Sequence, residues 1–291
     1  MKYFYIVENK QKERNPEISA FIREYLEMKG KVCLIDHEIE NINESEDLME
    51  YRYTDPRKVP ENTECVIVIG GDGTLIQAAR DLMVRKLPMI GINNGTLGYL
   101  AEVDTEGIPY ALDCLIEDRY EIENRMMIHG RAYRDGEQIA SNFALNDVVL
   151  TRGQNMKVNY YNIYVDGELL NKYTADGIII STPTGSTAYS LSAGGPFVDP
   201  KASLFIVTPI SPHSIHSRSI VLSSDAKIVI EISSVSDKKA EPCYAYFDGN
   251  EVAKLEFGDV MDIHKSMFTT KIIKINRVSF MEILRRKMAD R

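Results

Sequence analysis

The chain has 291 residues, 44% of them hydrophobic and 26% charged, with a net charge of −9 and a pI near 5.2. This is an ordinary soluble, globular composition, and the length favours two domains over a single core. The acidic balance argues against nucleic acid as the main partner, and no apolar run has the length of a membrane span.

The N-terminal run MKYFYIVENK is too short in apolar length for a signal peptide, and residues 3–7 are expected to form a first strand. Residues 16–29 carry Ile18, Phe21, Ile22 and Tyr25 at helical spacing, and residues 32–35 read as a second strand. Residues 38–62 are polar and acidic, as in a surface loop or short helix. The β-branched run at 66–69 stops in Gly70-Gly71-Asp72-Gly73-Thr74. Leu75, Ala78, Ala79, Leu82 and Met83 then keep the spacing of a helix. Residues 89–92 read as a strand ending in Asn93-Asn94-Gly95, and residues 109–117 as a helix. This alternation predicts a parallel sheet with helices on both faces.

From about residue 121 strand-like runs dominate. Residues 161–165 lead into Asp166-Gly167 and residues 244–247 into Asp248-Gly249, each a hairpin cue. Residues 228–232 and 271–275 are further strands. Residues 278–288 read as a last helix with Phe280, Ile283, Leu284 and Lys287 on one side. Arg285, Arg286 and Lys287 near its end suit the helix dipole. Cys33, Cys65, Cys114 and Cys243 form no CxxC pair and read as reduced thiols of a cytoplasmic protein.

Strand, glycine turn and helix at 66–83 is how an α/β sheet presents a phosphate site. A carboxylate in such a turn repels phosphate, so Asp72 is expected to hold a magnesium ion or to take a proton from an attacking hydroxyl. A dinucleotide fingerprint would need glycine at Ile76, and a Walker loop would need Gly-Lys-Ser/Thr; neither is present. A second motif, DGIIISTPTGSTAYSLSAGGP at 176–196, places hydroxyls and bare amides at a density that suits a polar ligand. It lacks the G-x-S-x-G nucleophile elbow. Asn146-Asp147 precedes the apolar pair Val148-Val149 and could grip vicinal hydroxyls or simply start a strand. His213-x-x-His216 has no third ligand at a sensible spacing and reads as structural.

Taken in order, GGDGT at 70–74, GINNGTLGYLAE at 91–102, LNDVVL at 145–150, the 176–196 block, PISPHS at 209–214 and FDGN at 247–250 resemble the NAD kinases of bacterial type. The 176–196 block is the most specific, because lipid kinases and phosphofructokinases carry loops like GGDGT. The resemblance implies transfer of the γ-phosphoryl of ATP, or of polyphosphate, to the 2′-hydroxyl of the adenosine ribose of NAD. It implies a Rossmann-like α/β domain over 1–120, a β-sandwich NAD-binding domain over 121–275, and a C-terminal helix, 276–291, returning to the first. NAD would lie in the cleft between the domains of a homodimer or homotetramer, with Mg2+ accompanying the nucleotide.

Carried over by position, Asp72 would be the catalytic carboxylate, and Gly70, Gly71, Gly73 and Thr74 would meet phosphates. Asn146 and Asp147 would hold ribose hydroxyls. Asp176, Thr187, Ala188, Tyr189, Ser190, Leu191 and Ser192 would contact NAD, with Lys157, Thr174 and Asn250 as further ligand contacts. Asp147 and Asn250 stand where glutamate and glutamine are common in the family, and Asn94 occupies a variable position. Two other functions are compatible with parts of the pattern. One is a lipid or sugar kinase sharing only the glycine loop. The other is a non-catalytic NAD(P) sensor, against which the intact Asp72 argues.

Overall fold

In the computed structural model, which describes residues 1–9, 15–39, 51–93, 98–101, 103–153, 157–214, 217–234, 242–275 and 279–289, the chain divides into two units. The first comprises residues 1–125 with 268–291, and the second residues 126–267.

The first unit opens with β1 (Tyr3–Glu8), α1 (Asn15–Met28), β2 (Val32–Ile35), β3 (Cys65–Ile69), α2 (Asp72–Asp81), β4 (Pro88–Ile92) and α3 (Ile108–Ile116). The strands run parallel in the order β2-β1-β3-β4. All of β3 and nearly all of β1 are buried, which is why both read as unbroken apolar runs and not as alternating ones. The chain winds outward from β1 in one direction to β2 and in the other to β3 and β4. The carboxyl ends of β1 and β3 therefore form the topological switch point where such sheets bind ligands. Gly70 leaves β3 at that point.

The stripe expected on α1 is turned by about one residue. Asn15, Ser19, Ile22 and Leu26 are buried, while Phe21 is exposed. Polar contacts explain the rotation. The Asn15 side-chain amide donates to the Ile69 carbonyl at 3.2 Å, and the Ser19 hydroxyl donates to the buried Glu8 carboxylate. Helix α2 ends at Asp81, yet Leu82 and Met83 beyond it remain buried, as their spacing requires. Within the polar stretch at 38–62, residues 40–50 lie outside the described residues, and 51–62 hold no helix or strand. Asp81 anchors that loop by accepting the Tyr53 and Thr54 amides at 2.9 and 3.3 Å.

The chain continues through β5 (Glu121–Arg134), β6 (Glu137–Ala144), β7 (Asp147–Arg152), β8 (Asn159–Val165), β9 (Glu168–Ala175) and β10 (Gly177–Ser181). A short helix α4 (Tyr189–Ser192) follows, then β11 (Leu204–Ile210), β12 (Ile220–Ser223), β13 (Ile228–Ser233), β14 (Cys243–Phe247), β15 (Asn250–Leu255) and β16 (Val260–Lys274). One sheet of the second unit has the order β12-β11-β10-β7-β14-β15. The other is built from β16, β13, β8 and β9, with β5 and β6 joined to it. Ile128, Leu150, Tyr161, Ile178, Phe205, Ile230 and Phe247 fill the space between them, making a β-sandwich. Both Asp-Gly cues are tight turns with positive φ at the two central residues: 51° and 87° at Asp166-Gly167, 48° and 79° at Asp248-Gly249.

The expected strand at 271–275 is the far end of the 15-residue strand β16. Its first residues pair antiparallel with β13, whereas Lys271 and Ile272 pair in parallel with Pro88 and Met89 of β4. The last helix, α5 (Phe280–Ala289), belongs to the first unit and buries Ile283. Among the described residues no helix is long and apolar enough to cross a membrane.

Candidate active site

In the first unit the glycine turn divides into two pairs of residues. A Cβ at Gly70 would lie 2.6 Å from Thr74 Cβ and closer still to its hydroxyl, so Gly70 is bare to let the buried Thr74 fold beneath it. Among the described residues a Cβ at Gly71 or Gly73 would meet nothing within 4 Å. These two glycines leave an open approach to the backbone at the start of α2, whose Thr74 amide already donates to the Gly71 carbonyl at 3.0 Å. Among the described residues Gly71 and Gly73 border open space, and Gly70 and Thr74 pack against each other.

Asp72 is the first residue of α2, where a carboxylate is favoured by the helix dipole. Its Oδ2 accepts the Tyr99 amide at 2.8 Å, and its Oδ1 accepts the Leu100 and Ala101 amides at 3.1 and 3.0 Å. Residues 98–101 belong to the sequence block at 91–102, which gives no sign of this contact. Asn94 and Gly95 lie outside the described residues.

In the second unit three strand ends converge. The start of β7, the end of β10 and the end of β14 adjoin through the pairs Asp147↔Ser181 and Val148↔Phe247. Asn146-Asp147, the 182–190 turns and the Asp248-Gly249 turn therefore meet at one end of the sheet. The Thr182 amide donates to the Asn146 carbonyl at 2.8 Å, and the Thr182 hydroxyl donates to the Leu145 carbonyl at 2.6 Å. A Cβ at Gly185 would lie 2.6 Å from the Asn146 carbonyl carbon, so this glycine allows the two segments to touch.

Asp248, read from the sequence only as a hairpin residue, organises the other side. Its carboxylate accepts the amides of Leu145, Asn146 and Asp147 at 2.8, 2.7 and 3.2 Å. Asn250 sits on the same turn, with its side-chain amide 3.5 Å from the Phe247 and Asp248 carbonyls.

The hydroxyl block proves to be largely internal. Ser186 exchanges hydrogen bonds with the Val198 backbone, Ser190 pairs with Thr208 at 3.1 Å, and the Thr187 hydroxyl donates to the Thr184 carbonyl at 3.3 Å. These bonds fix the turn's shape. Among the described residues the Thr184 hydroxyl is a buried group without a hydrogen-bond partner. Tyr189, at 46% exposure, and Ser192 face solvent, and Ala188 and Leu191 are partly buried.

Thr174, Asp176 and Lys157 stand elsewhere. Asp176 precedes Gly177 at one end of β10, whereas Ser181 is at the other, about 16 Å away by strand rise. Asp176 accepts the Arg152 guanidinium at 2.7 Å, an ion pair not expected from the sequence. The Thr174 carbonyl accepts the His213 amide at 2.9 Å, and Lys157 lies just ahead of β8. His216 is outside the described residues.

Asp147 is 5% exposed, and its carboxyl is pushed up to about 7, first by burial and then by the charge of Asp248. A carboxyl raised in the folded state favours folding fully only below its unfolded value. That contribution fades as pH rises through about 7. Asp147→Asn is therefore expected to melt above wild type at pH 8 and to lose this advantage at pH 5. Thermal melts of both proteins across this range check it; a pH-independent difference would contradict the assignment.

A carboxylate among glycines at the switch point of a parallel sheet, in a chain that also carries a β-sandwich with a rigid polar turn cluster, defines a nucleotide phosphotransferase. Residues 5–120 match the ATP-NAD kinase N-terminal domain and residues 145–275 the ATP-NAD kinase C-terminal domain. The chain belongs to the NAD kinase family. It is 45% identical to the NAD kinase of Lachnospira eligens, over 99% of this chain and 100% of that protein. It is 42% identical to the NAD kinase of Agathobacter rectalis, over 100% and 99% of the two chains. Two solved structures share its fold at 24% identity. Yeast NADH kinase complexed with NADH aligns at a TM-score of 0.82 over 99% of this chain and 88% of that one. An NAD kinase from Archaeoglobus fulgidus in complex with ATP aligns at 0.73 over 99% of each.

Proposed function

We propose that this NAD kinase transfers the γ-phosphoryl of ATP to the 2′-hydroxyl of the adenosine ribose of NAD, with Asp72 receiving the hydroxyl proton. The observation that carries this reading is the Asp72 carboxylate, held at a helix start beside the open backbone at Gly71 and Gly73. Phosphoryl transfer needs positioning and charge neutralisation more than covalent help. The turn supplies amides for the phosphates, and Asp72 supplies an acceptor for the proton. ATP as donor is supported by the archaeal relative's complex with ATP. Polyphosphate is the second donor, tested in the same assay.

Asn146 and Asp147 are assigned to the ribose hydroxyls, since their backbone is fixed from both sides by Thr182 and Asp248. Tyr189 gives a flat exposed surface for a base, and the Thr184 hydroxyl gives a buried polar atom still to be satisfied. Ser190 and Thr187 support the turn, and Ala188, Leu191 and Ser192 complete its rim. Thr174, Asp176 and Lys157 are kept as ligand contacts at the other end of β10. Among the described residues no group of three acidic, histidine or cysteine side chains could hold a metal. Mg2+ is assigned to the nucleotide phosphates, whose charge it would neutralise. A cytoplasmic homodimer or homotetramer completes the reading; the four cysteines are free and buried, as in a reducing compartment.

The test is NADP formation from NAD, ATP and Mg2+, read by an NADP-specific coupled dehydrogenase. Turnover with ATP is expected; binding of NAD without turnover on either donor would favour a sensor. Tyr189→Ala is expected to raise the NAD KM by about tenfold while lowering kcat less, through loss of a stacking surface. An unchanged KM would remove Tyr189 from the site.

A further inference from the structure

Three consecutive amides on one carboxylate are more than a helix start requires. Leu100 and Ala101 occupy both lone pairs of Asp72 Oδ1, whereas Tyr99 occupies one of the two on Oδ2. Among the described residues one acceptor position is left, on Oδ2. Gly98 makes the arrangement possible: a Cβ there would lie 2.5 Å from Asp72 Cγ and closer still to Oδ1. The segment is itself anchored. Leu100 and Ala101 are buried, and a Cβ at Gly91 would lie 2.8 Å from Ala101 Cα. Asn93 donates to the Val103 carbonyl at 2.7 Å, tying the following residues to the end of β4. The Lys287 ammonium of α5 lies 5.0 Å over the Tyr99 ring, a cation–π contact on the residue that holds Oδ2.

We propose that residues 98–101 are the positioning device of the phosphoryl transfer, Gly98 admitting the Asp72 carboxylate and the next three amides orienting it so that Oδ2 alone receives the proton. This rests on the role of Asp72 given above. The acceptor O–H bond breaks with its proton passing to Oδ2. The freed oxygen pair forms the bond to the γ-phosphorus, and the bond from that phosphorus to the bridging oxygen breaks, its electrons leaving with ADP. Gly98 touches none of the reacting atoms and acts only through Asp72.

The experiment is a double-mutant cycle of Gly98→Ala and Asp72→Asn, with kcat and both KM values measured from NADP formation and folding checked by thermal melts. Gly98→Ala is expected to lower kcat about tenfold or more and to leave both KM values within about threefold, because a displaced carboxylate costs rate and not binding. In the Asp72→Asn background the same change is expected to alter residual turnover less than about twofold. Equal losses in both backgrounds would make the segment merely structural and overturn the proposal, as would full activity in Gly98→Ala. Near-normal turnover in Asp72→Asn alone would instead defeat the role of Asp72 itself. Should Gly98→Ala not fold, Lys287→Met replaces it in the cycle. It is expected to lower kcat about threefold in the Asp72 background only, and a loss in both would count against the device.

Discussion

Asp72→Asn is expected to abolish most turnover, by about 10²–10⁴-fold in kcat, while NAD binds within a few-fold of wild type. The physical reason is the loss of a proton acceptor at Oδ2, which accepts one amide among the described residues. The structure adds a second consequence. Asparagine keeps one oxygen for the Leu100 and Ala101 amides but turns an N–H2 group toward the Tyr99 amide, which loses its acceptor. A destabilisation of about 1–3 kcal/mol should accompany the catalytic loss. Initial rates of NADP formation, NAD titration and thermal melts of the same preparation separate the two effects. Turnover close to wild type would sink the assignment of Asp72.

Asp248→Ala is expected to be the most disruptive change in the second unit. It removes the acceptor of three successive backbone amides, at Leu145, Asn146 and Asp147, all partly buried. Each donor left without a partner costs about 1–3 kcal/mol, and water reaching a partly buried site offsets some of it. A net loss of about 3 kcal/mol is expected. The backbone of Asn146 and Asp147 would then relax, and the NAD KM should rise by about tenfold or more. Asp248→Asn keeps one acceptor oxygen and should fall between the two. Thermal melts and NAD saturation curves decide it. A melting shift under about 2 °C with an unchanged KM would show that the turn stands without its carboxylate.

Some elements are legible in the sequence alone and others only in part. The run at 66–69, the helix after the glycine turn and the two Asp-Gly hairpins follow from local pattern, because burial on both faces, helical spacing and positive φ each leave a mark within a few residues. Strand β16 was only partly visible, because its first and last residues answer to different partners, β13 and β4. The buried stripe of α1 differs from the apolar spacing by about one position for a similar reason: Asn15 and Ser19 are buried by hydrogen bonds to β3 and β1, not by apolar periodicity.

The sequence by itself determined the strand–helix alternation of the first part, the two Asp-Gly hairpins, the glycine turn around Asp72 and the residues that mark an NAD kinase. Tertiary structure alone decided what holds them. The donors to Asp72 lie 27 to 29 residues along the chain, and those to Asp248 lie 101 to 103 residues away. All six are backbone amides, identical in every non-proline residue, so no choice of side chain announces them. The same holds for Gly98 and Gly185, whose bare α-carbons are explained by Asp72 and Asn146, brought in by the fold. A motif records which chemical groups are present; which lone pair remains available on them is settled by distant chain folding onto the rest.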